Sequence, residues 1–422
     1  MPLAPPTVAC ARPGAVAPAA VSGRLERVGL WLRDHQRLVR RLQWAMVALY
    51  LPLLILPALL PPPVAGTPLW ASLAGGVQLL FWGLWLPGVL VSVLLFGRLW
   101  CGLLCPEGAL TAAASRHGKG WAIPRWMKWP GWPFAMFAGV TLWGQVVSVY
   151  DRPEAALLVF GTSGAAAVLV GWLYGREKRV WCRFLCPANG MFGLLAKLAP
   201  MHYRVHARAW DACSPERART MRFTCEPMVP VRMMESASPC HMCGRCAGFR
   251  DAVRLEPRPP GEEIRRSPGS GAESLMAIAG LLGIGSAAFW WPAAPGLGAL
   301  AQVLGEAPAR LLTMVLLAVA VAAAVALPLA LAARGQAGLF HRLALATLPL
   351  GAAGLLAGFG RHSVGLVAAG LDLRLPWAAL LLFGAAWAVA LGRGIVTRRA
   401  GRAAFALALA GPLAGWAWLL WA

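Results

Sequence analysis

Long apolar runs leave this chain few folds. Stretches such as 71–96 and 311–333 carry no charged residue over more than the roughly 18 residues that a bilayer span needs. In lipid, every backbone N–H and C=O must be satisfied within the chain, so runs of this kind become helices. Nine spans are expected, near 42–60, 71–96, 132–149, 156–174, 272–292, 311–333, 342–360, 376–391 and 403–421. The first begins too late for a signal peptide, and no small-residue cleavage site follows it. Composition agrees: 13% of residues are charged, against about a quarter in a soluble protein. The expected fold class is therefore an all-α polytopic membrane protein. Residues 1–23 are Pro/Ala-rich, with only Arg12 charged, and are expected to be disordered.

The net charge of +22 raises the question of nucleic acid. Its distribution answers it. With nine spans, all but four of the 39 Lys+Arg fall on the side of the N-terminus; the exceptions are Arg152, Arg310, Arg361 and Arg374. That bias places the N-terminus in the cytoplasm and the C-terminus outside. A basic cytoplasmic face needs no nucleic-acid partner, and none is expected.

Two stretches resemble each other: "GRLWCGLLCPEGAL" from Gly97 and "EKRVWCRFLCPANGMF" from Glu177. Each holds Arg, a bulky residue, Trp, Cys, three residues and Cys-Pro. Cys101 and Cys182 lie 81 residues apart, as do Cys105 and Cys186. Each motif follows two spans, so both emerge on the same side. This is a parallel repeat, with an axis roughly along the membrane normal. Two cysteine pairs facing that axis assemble four thiols. Pro106 and Pro187 stop one helix or begin the next, so each motif reads as a helix junction near the membrane surface. Trp100 and Trp181 suit the interfacial belt. Ordinary buried cysteines are the plain alternative, but two accidents would not share spacing, Trp and Pro. A second iron–sulfur cluster is favoured over a thiol–disulfide pair or a copper site, both of which stay open.

The sharpest signal is "SPCHMCGRCAGF". Cys240, Cys243 and Cys246 form C-x2-C-x2-C, a loop that wraps three corners of a [4Fe–4S] cube. In two-cluster bacterial ferredoxins the fourth ligand comes from the other motif, just before a proline. Cys225 stands near that place, with Glu226 before Pro227. Cys213 alone is left of the other triplet, and Arg250 replaces its last ligand. The pattern implies a decayed two-cluster segment, ferredoxin-like and cytoplasmic, keeping one cluster on Cys225, Cys240, Cys243 and Cys246. The alternative is zinc, with help from His202, His206 or His241.

In combination, these motifs resemble the NapH/NosR/RdxA (CcoG, FixG) group of membrane polyferredoxins, over roughly residues 40–255. The resemblance implies a bacterial inner (cytoplasmic) membrane and electron transfer. It also implies a cytoplasmic or quinol donor and a membrane or periplasmic redox partner protein, with quinone among the candidate ligands. It admits a second reading, an assembly factor that reduces or delivers a metal such as copper for an oxidase. The chain departs from the group in its incomplete ferredoxin cysteines, in lacking a flavin domain, and in about five further C-terminal spans. The protein is expected to act as a component rather than as an enzyme alone.

The expected organisation is a basic tail over 1–41, the duplicated membrane unit over 42–200, the ferredoxin-like segment over 201–270 and a C-terminal membrane region over 271–422. Met228, Met233, Met234 and Met242 read as packing rather than as copper ligands. His202 and His206 read as one surface of an interfacial helix, and 191–200 as an amphipathic helix on the membrane surface. The C-terminal spans carry no ionisable residue well inside, which disfavours a pump or ion transporter.

Overall fold

The computed structural model describes residues 23–60, 72–214, 223–367 and 372–421. Cys10 and nearly all of the Pro/Ala-rich tail lie outside these residues. Eight helices are long and apolar enough to cross a membrane. They are α2 (Gln36–Leu59), α3 (Leu73–Phe96), α7 (Pro153–Tyr174), α10 (Gly271–Ala293), α11 (Glu306–Ala333), α12 (Ala337–Ser363), α13 (Arg374–Arg393) and α14 (Arg399–Trp421). A short helix α1 (Arg24–Asp34) precedes them. The helices α4 (Leu99–Leu103), α5 (Pro106–Arg116), α6 (Trp132–Val146), α8 (Val180–Phe184) and α9 (Ala188–Leu195) fill the first half.

The expected span at 132–149 is the exception. It forms α6, of only 15 residues. The chain still travels the length of α7 there. Before α6, the N–H groups of Lys119 and Trp121 donate to the carbonyls of Trp172 and Leu173, at the end of α7. After α6, a turn over 147–152 leads into the start of α7. At 1.5 Å per residue, α6 covers about 22 Å antiparallel to its neighbour. Both cysteine motifs are therefore connected to the same end of the α6–α7 pair.

The duplication is visible in the packing. The helix after the first motif, α5, packs on α2 and α7; the helix after the second, α9, packs on α6 and α3. Each thus crosses to the other unit, as a two-fold-like repeat requires. Small residues permit the close approach of α5 and α7. A Cβ on Gly171 would lie 2.7 Å from the Thr111 carbonyl oxygen, and one on Gly175 2.4 Å from the Ser115 Cβ.

One apolar core joins the two halves of the chain. Val89, Leu90, Phe137 and Phe192 of the first half pack with Met276, Leu281, Leu345 and Leu355 of the second. The Trp291 indole also donates to the buried Gln145 side chain, at 3.0 Å. The C-terminal helices thus form one bundle with the duplicated unit.

Two local expectations fail. Residues 191–200 do not lie on a surface. The end of α9 and the turn after it bury Phe192 through Ala199, Lys197 included. Lys197 is accommodated because its Nζ reaches Glu273 at 2.7 Å and Glu263 at 3.6 Å. The stretch around His202 is not helical either. It forms β1 (Met201–Val205), antiparallel to β2 (Val253–Pro257), with Tyr203 opposite Leu255. Tyr203, Val253 and Leu255 point into one small core while Arg204, Arg254 and Glu256 face outward, the period-two pattern of a half-buried ribbon. His206 follows β1, with its Nε2 2.6 Å from Glu256 Oε1.

Candidate metal centre

The two Trp-Cys motifs fold alike at the level of single hydrogen bonds. In the first, the N–H groups of Leu104 and Cys105 both donate to the Trp100 carbonyl; in the second, those of Leu185 and Cys186 both donate to the Trp181 carbonyl. All four bonds are 2.9 Å. The shared acceptor ends one short helix and turns the chain at the second cysteine. Proline has no N–H to lose there and a φ suited to a first turn, so a new helix begins at or just after it. Cys105 caps α5, its Sγ accepting from the Gly108 N–H at 3.4 Å.

The expected helix junctions are present, but they are recessed. Glu107 bonds Ser163 in the middle of α7 and accepts from the Trp181 indole at 3.3 Å. Thr111 lies beside Gly171, and Ser115 beside Gly175. Thus α5 runs parallel to α7 and starts about 16 Å back from its end, since Ser163 is eleven residues before Tyr174. Cys101, Cys105, Cys182 and Cys186 are mutual electrostatic neighbours there. Cys225, Cys240, Cys243 and Cys246 are neighbours in a second group.

The groups abut. A Cβ on Gly102 would fall 2.2 Å from the His241 carbonyl oxygen and 3.0 Å from the Cys243 nitrogen. Only glycine lets the first motif press on the C-x2-C-x2-C loop. Gln43 of α2 donates to the Gly102 carbonyl at 2.7 Å, and Gln36 donates to the Cys243 carbonyl at 2.9 Å. One helix therefore braces both groups.

Two buried guanidinium groups sit where the groups meet. Arg98 and Arg179 occupy equivalent repeat positions, three before the first cysteine of each motif. Arg98 faces Cys182 and Cys240 and donates to the Ser238 carbonyl at 2.7 Å. Arg179 faces Cys182, Cys243 and Cys105 and donates to the Cys101 carbonyl at 2.9 Å. Its Nε lies 2.6 Å from Glu226 Oε2, and its backbone N–H donates to the Glu226 carbonyl. The other oxygen of Glu226 takes Arg245 at 2.6 Å. The glutamate between Cys225 and Pro227 thus ties the second motif to the cysteine loop.

This donor set fits an anionic metal–sulfur group. All eight thiols are free. Burial pushes Cys240 up to about 12 and Cys225 to about 11, and raises Cys246 well above the usual thiol range; neighbouring thiols push these further. Thiols in such a site keep their protons until a metal ion takes their place. The Nε of Arg98 is buried without a hydrogen-bond partner, as is Nδ1 of His241. A buried donor of that kind implies an unseen acceptor. Among the described residues, no three Cys, His, Asp or Glu side chains converge to hold a single ion.

A family model described as a 4Fe-4S binding domain matches residues 78–124 and 157–206. The chain is an iron–sulfur protein. Its cofactor is a [4Fe–4S] cluster. The matched stretches contain Cys101, Cys105, Cys182 and Cys186, the pairs whose chemistry was the more open from sequence. The C-x2-C-x2-C loop lies beyond them. No curated protein and no solved structure matches the chain.

Other candidates are placed elsewhere. Met242 and Met234 pack in the small core of the cysteine loop, Met228 packs beside Trp181, and Met233 is exposed, so the four methionines form no group. Cys213 is buried. The motif arginines escaped the sequence reading as functional residues. Their signal was present, since Arg98 and Arg179 repeat in register with the cysteines.

Proposed function

We propose that the protein carries electrons across part of a bacterial inner membrane, with one cluster in each four-thiol group. Cys101, Cys105, Cys182 and Cys186 hold one, and Cys225, Cys240, Cys243 and Cys246 hold the other. The contact at Gly102 carries this reading: it sets the loop's Cys243 against the membrane motif's Cys101–Cys105 turn. A bound [4Fe–4S] cluster supplies one-electron chemistry. The chain partly buries the thiols, and sets Arg98 and Arg179 where added negative charge is stabilised.

The basic side of the chain is the cytoplasm by the positive-inside rule. A cytoplasmic or quinol donor and a membrane or periplasmic partner follow from the resemblance to the membrane polyferredoxin group. The loop group is the entry or exit nearest solvent, and the recessed group faces the bundle. EPR on the anaerobically reduced protein tests the pairing. Two clusters in contact-range sites give a spin-coupled, broadened spectrum at full reduction. A plain sum of two isolated signals would sink the reading.

A further inference from the structure

A basic groove lies away from the cysteines, at the end of α7. It holds about 500 Å³ and is lined by Gly120, Trp121, Lys128, Tyr174, Arg176 and Lys178, among others. No carboxylate lines it. Glu177, between Arg176 and Lys178 in sequence, accepts from the Thr224 hydroxyl at 3.2 Å. Lys128, Arg176 and Lys178 have no ion-pair partner among the described residues.

The groove is built rather than left over. The loop before α6 is hydrogen-bonded to the last turn of α7 through Lys119 and Trp121. Gly120 has φ +68°, and its missing Cβ makes room for the Arg176 side chain, 2.8 Å from where that atom would be. Lys119 sits over the Trp172 ring at 4.2 Å.

The surroundings say what enters it. Trp121, Trp126 and Trp129 are 52%, 54% and 55% exposed, as interfacial tryptophans are. The groove lies at the end of a membrane-spanning helix, α7, which leaves the apolar side chains of Leu158, Leu169 and Trp172 exposed on another face. Unpaired positive charge at the end of a membrane span, among tryptophans exposed as at an interface, matches the phosphate of an anionic lipid. We propose that this groove binds the headgroup of an anionic phospholipid, with Lys128, Arg176 and Lys178 on the phosphate.

Native mass spectrometry of the full chain, released from neutral detergent, tests the site. Phosphatidylglycerol and phosphatidylcholine are titrated in turn, each with and without inorganic phosphate. The protein is expected to retain one phosphatidylglycerol in preference to phosphatidylcholine. Lys128→Gln/Arg176→Gln/Lys178→Gln is expected to lower that preference by about 100-fold, since each cation near an anionic surface contributes roughly five-fold. Iron content stays unchanged, and Arg398→Gln/Arg399→Gln keeps the preference. Should the triple variant not fold, Lys128→Gln alone is expected to show a step of about five-fold. Equal retention of both lipids, or of phosphatidylglycerol by wild type and variant, would overturn the proposal. So would displacement by millimolar phosphate, which marks a free-phosphate site. Unchanged lipid retention with lost reduction by an acidic protein donor would make the groove a docking patch instead.

Discussion

Charge placement decides the chemistry at the residue scale. Arg179 faces both thiol groups and is itself anchored by Glu226, so its removal withdraws one positive charge from both sites and leaves Glu226 with Arg245 as its ion-pair partner. A charge at this range is worth on the order of 2 kcal/mol at an effective dielectric near 20. Arg179→Met is therefore expected to move both reduction potentials negative, by roughly 90 mV for a one-electron couple. Arg179→Lys keeps the charge and should recover most of the shift. A redox titration followed by EPR reads both. Unchanged potentials with intact clusters would show that Arg179 only supports the fold. Glu263 makes a different case. Burial raises its pKa, but Lys197 and Arg258, with hydrogen bonds from Ser236 and Ala237, outweigh burial and hold it below the usual carboxylate range. A depressed carboxylate stabilises the fold above its unfolded pKa, near 4.3, and that contribution disappears as pH falls through the lower folded value. Glu263→Gln is expected to cost about 3 kcal/mol at neutral pH, because Arg258 is left buried without its partner. The difference from wild type should shrink in acid. Melting curves at pH 7 and at about pH 2 check the sign, and an equal loss at both would refute the assignment.

At the scale of elements, the contact between the first motif and the cysteine loop has no slack. Gly102→Val would drive side-chain atoms into the His241 carbonyl, a backbone atom that cannot step aside. The variant is expected to lose spin coupling between the two clusters, or the loop cluster itself, while the membrane motifs keep their iron. Retained coupling would mean that the contact is dispensable. Much of this scale was legible beforehand. Hydropathy gives the eight long helices because lipid admits little else, and the repeated Cys-Pro gives both junctions because proline can only begin the second helix. The failures have physical causes. "MHYRVHARAW" places residues of both periods together, and the strand wins because Tyr203 and Leu255 share a core with α1 that local pattern does not reveal. The recessed depth of the motifs, and the meeting of Arg98 and Arg179 with a loop more than fifty residues further on, belong to tertiary packing. Pattern reading found the cysteines of both groups but could not set one group on the other.

For the whole molecule, the swapped packing of α5 and α9 makes the duplicated unit a frame, and the C-terminal helices share its core. This arrangement holds the four motif cysteines together even though they come from two distant segments, and it positions the loop over them. The central claim is that both groups hold a cluster. Iron and acid-labile sulfide per chain, measured on anaerobically purified protein, test it most directly. About eight irons and eight sulfides are expected for two [4Fe–4S] clusters, falling to about four each in Cys101→Ser and in Cys240→Ser as either group is lost. About four in the wild type, unchanged by one of those substitutions, would contradict the account and leave that group's thiols to other chemistry.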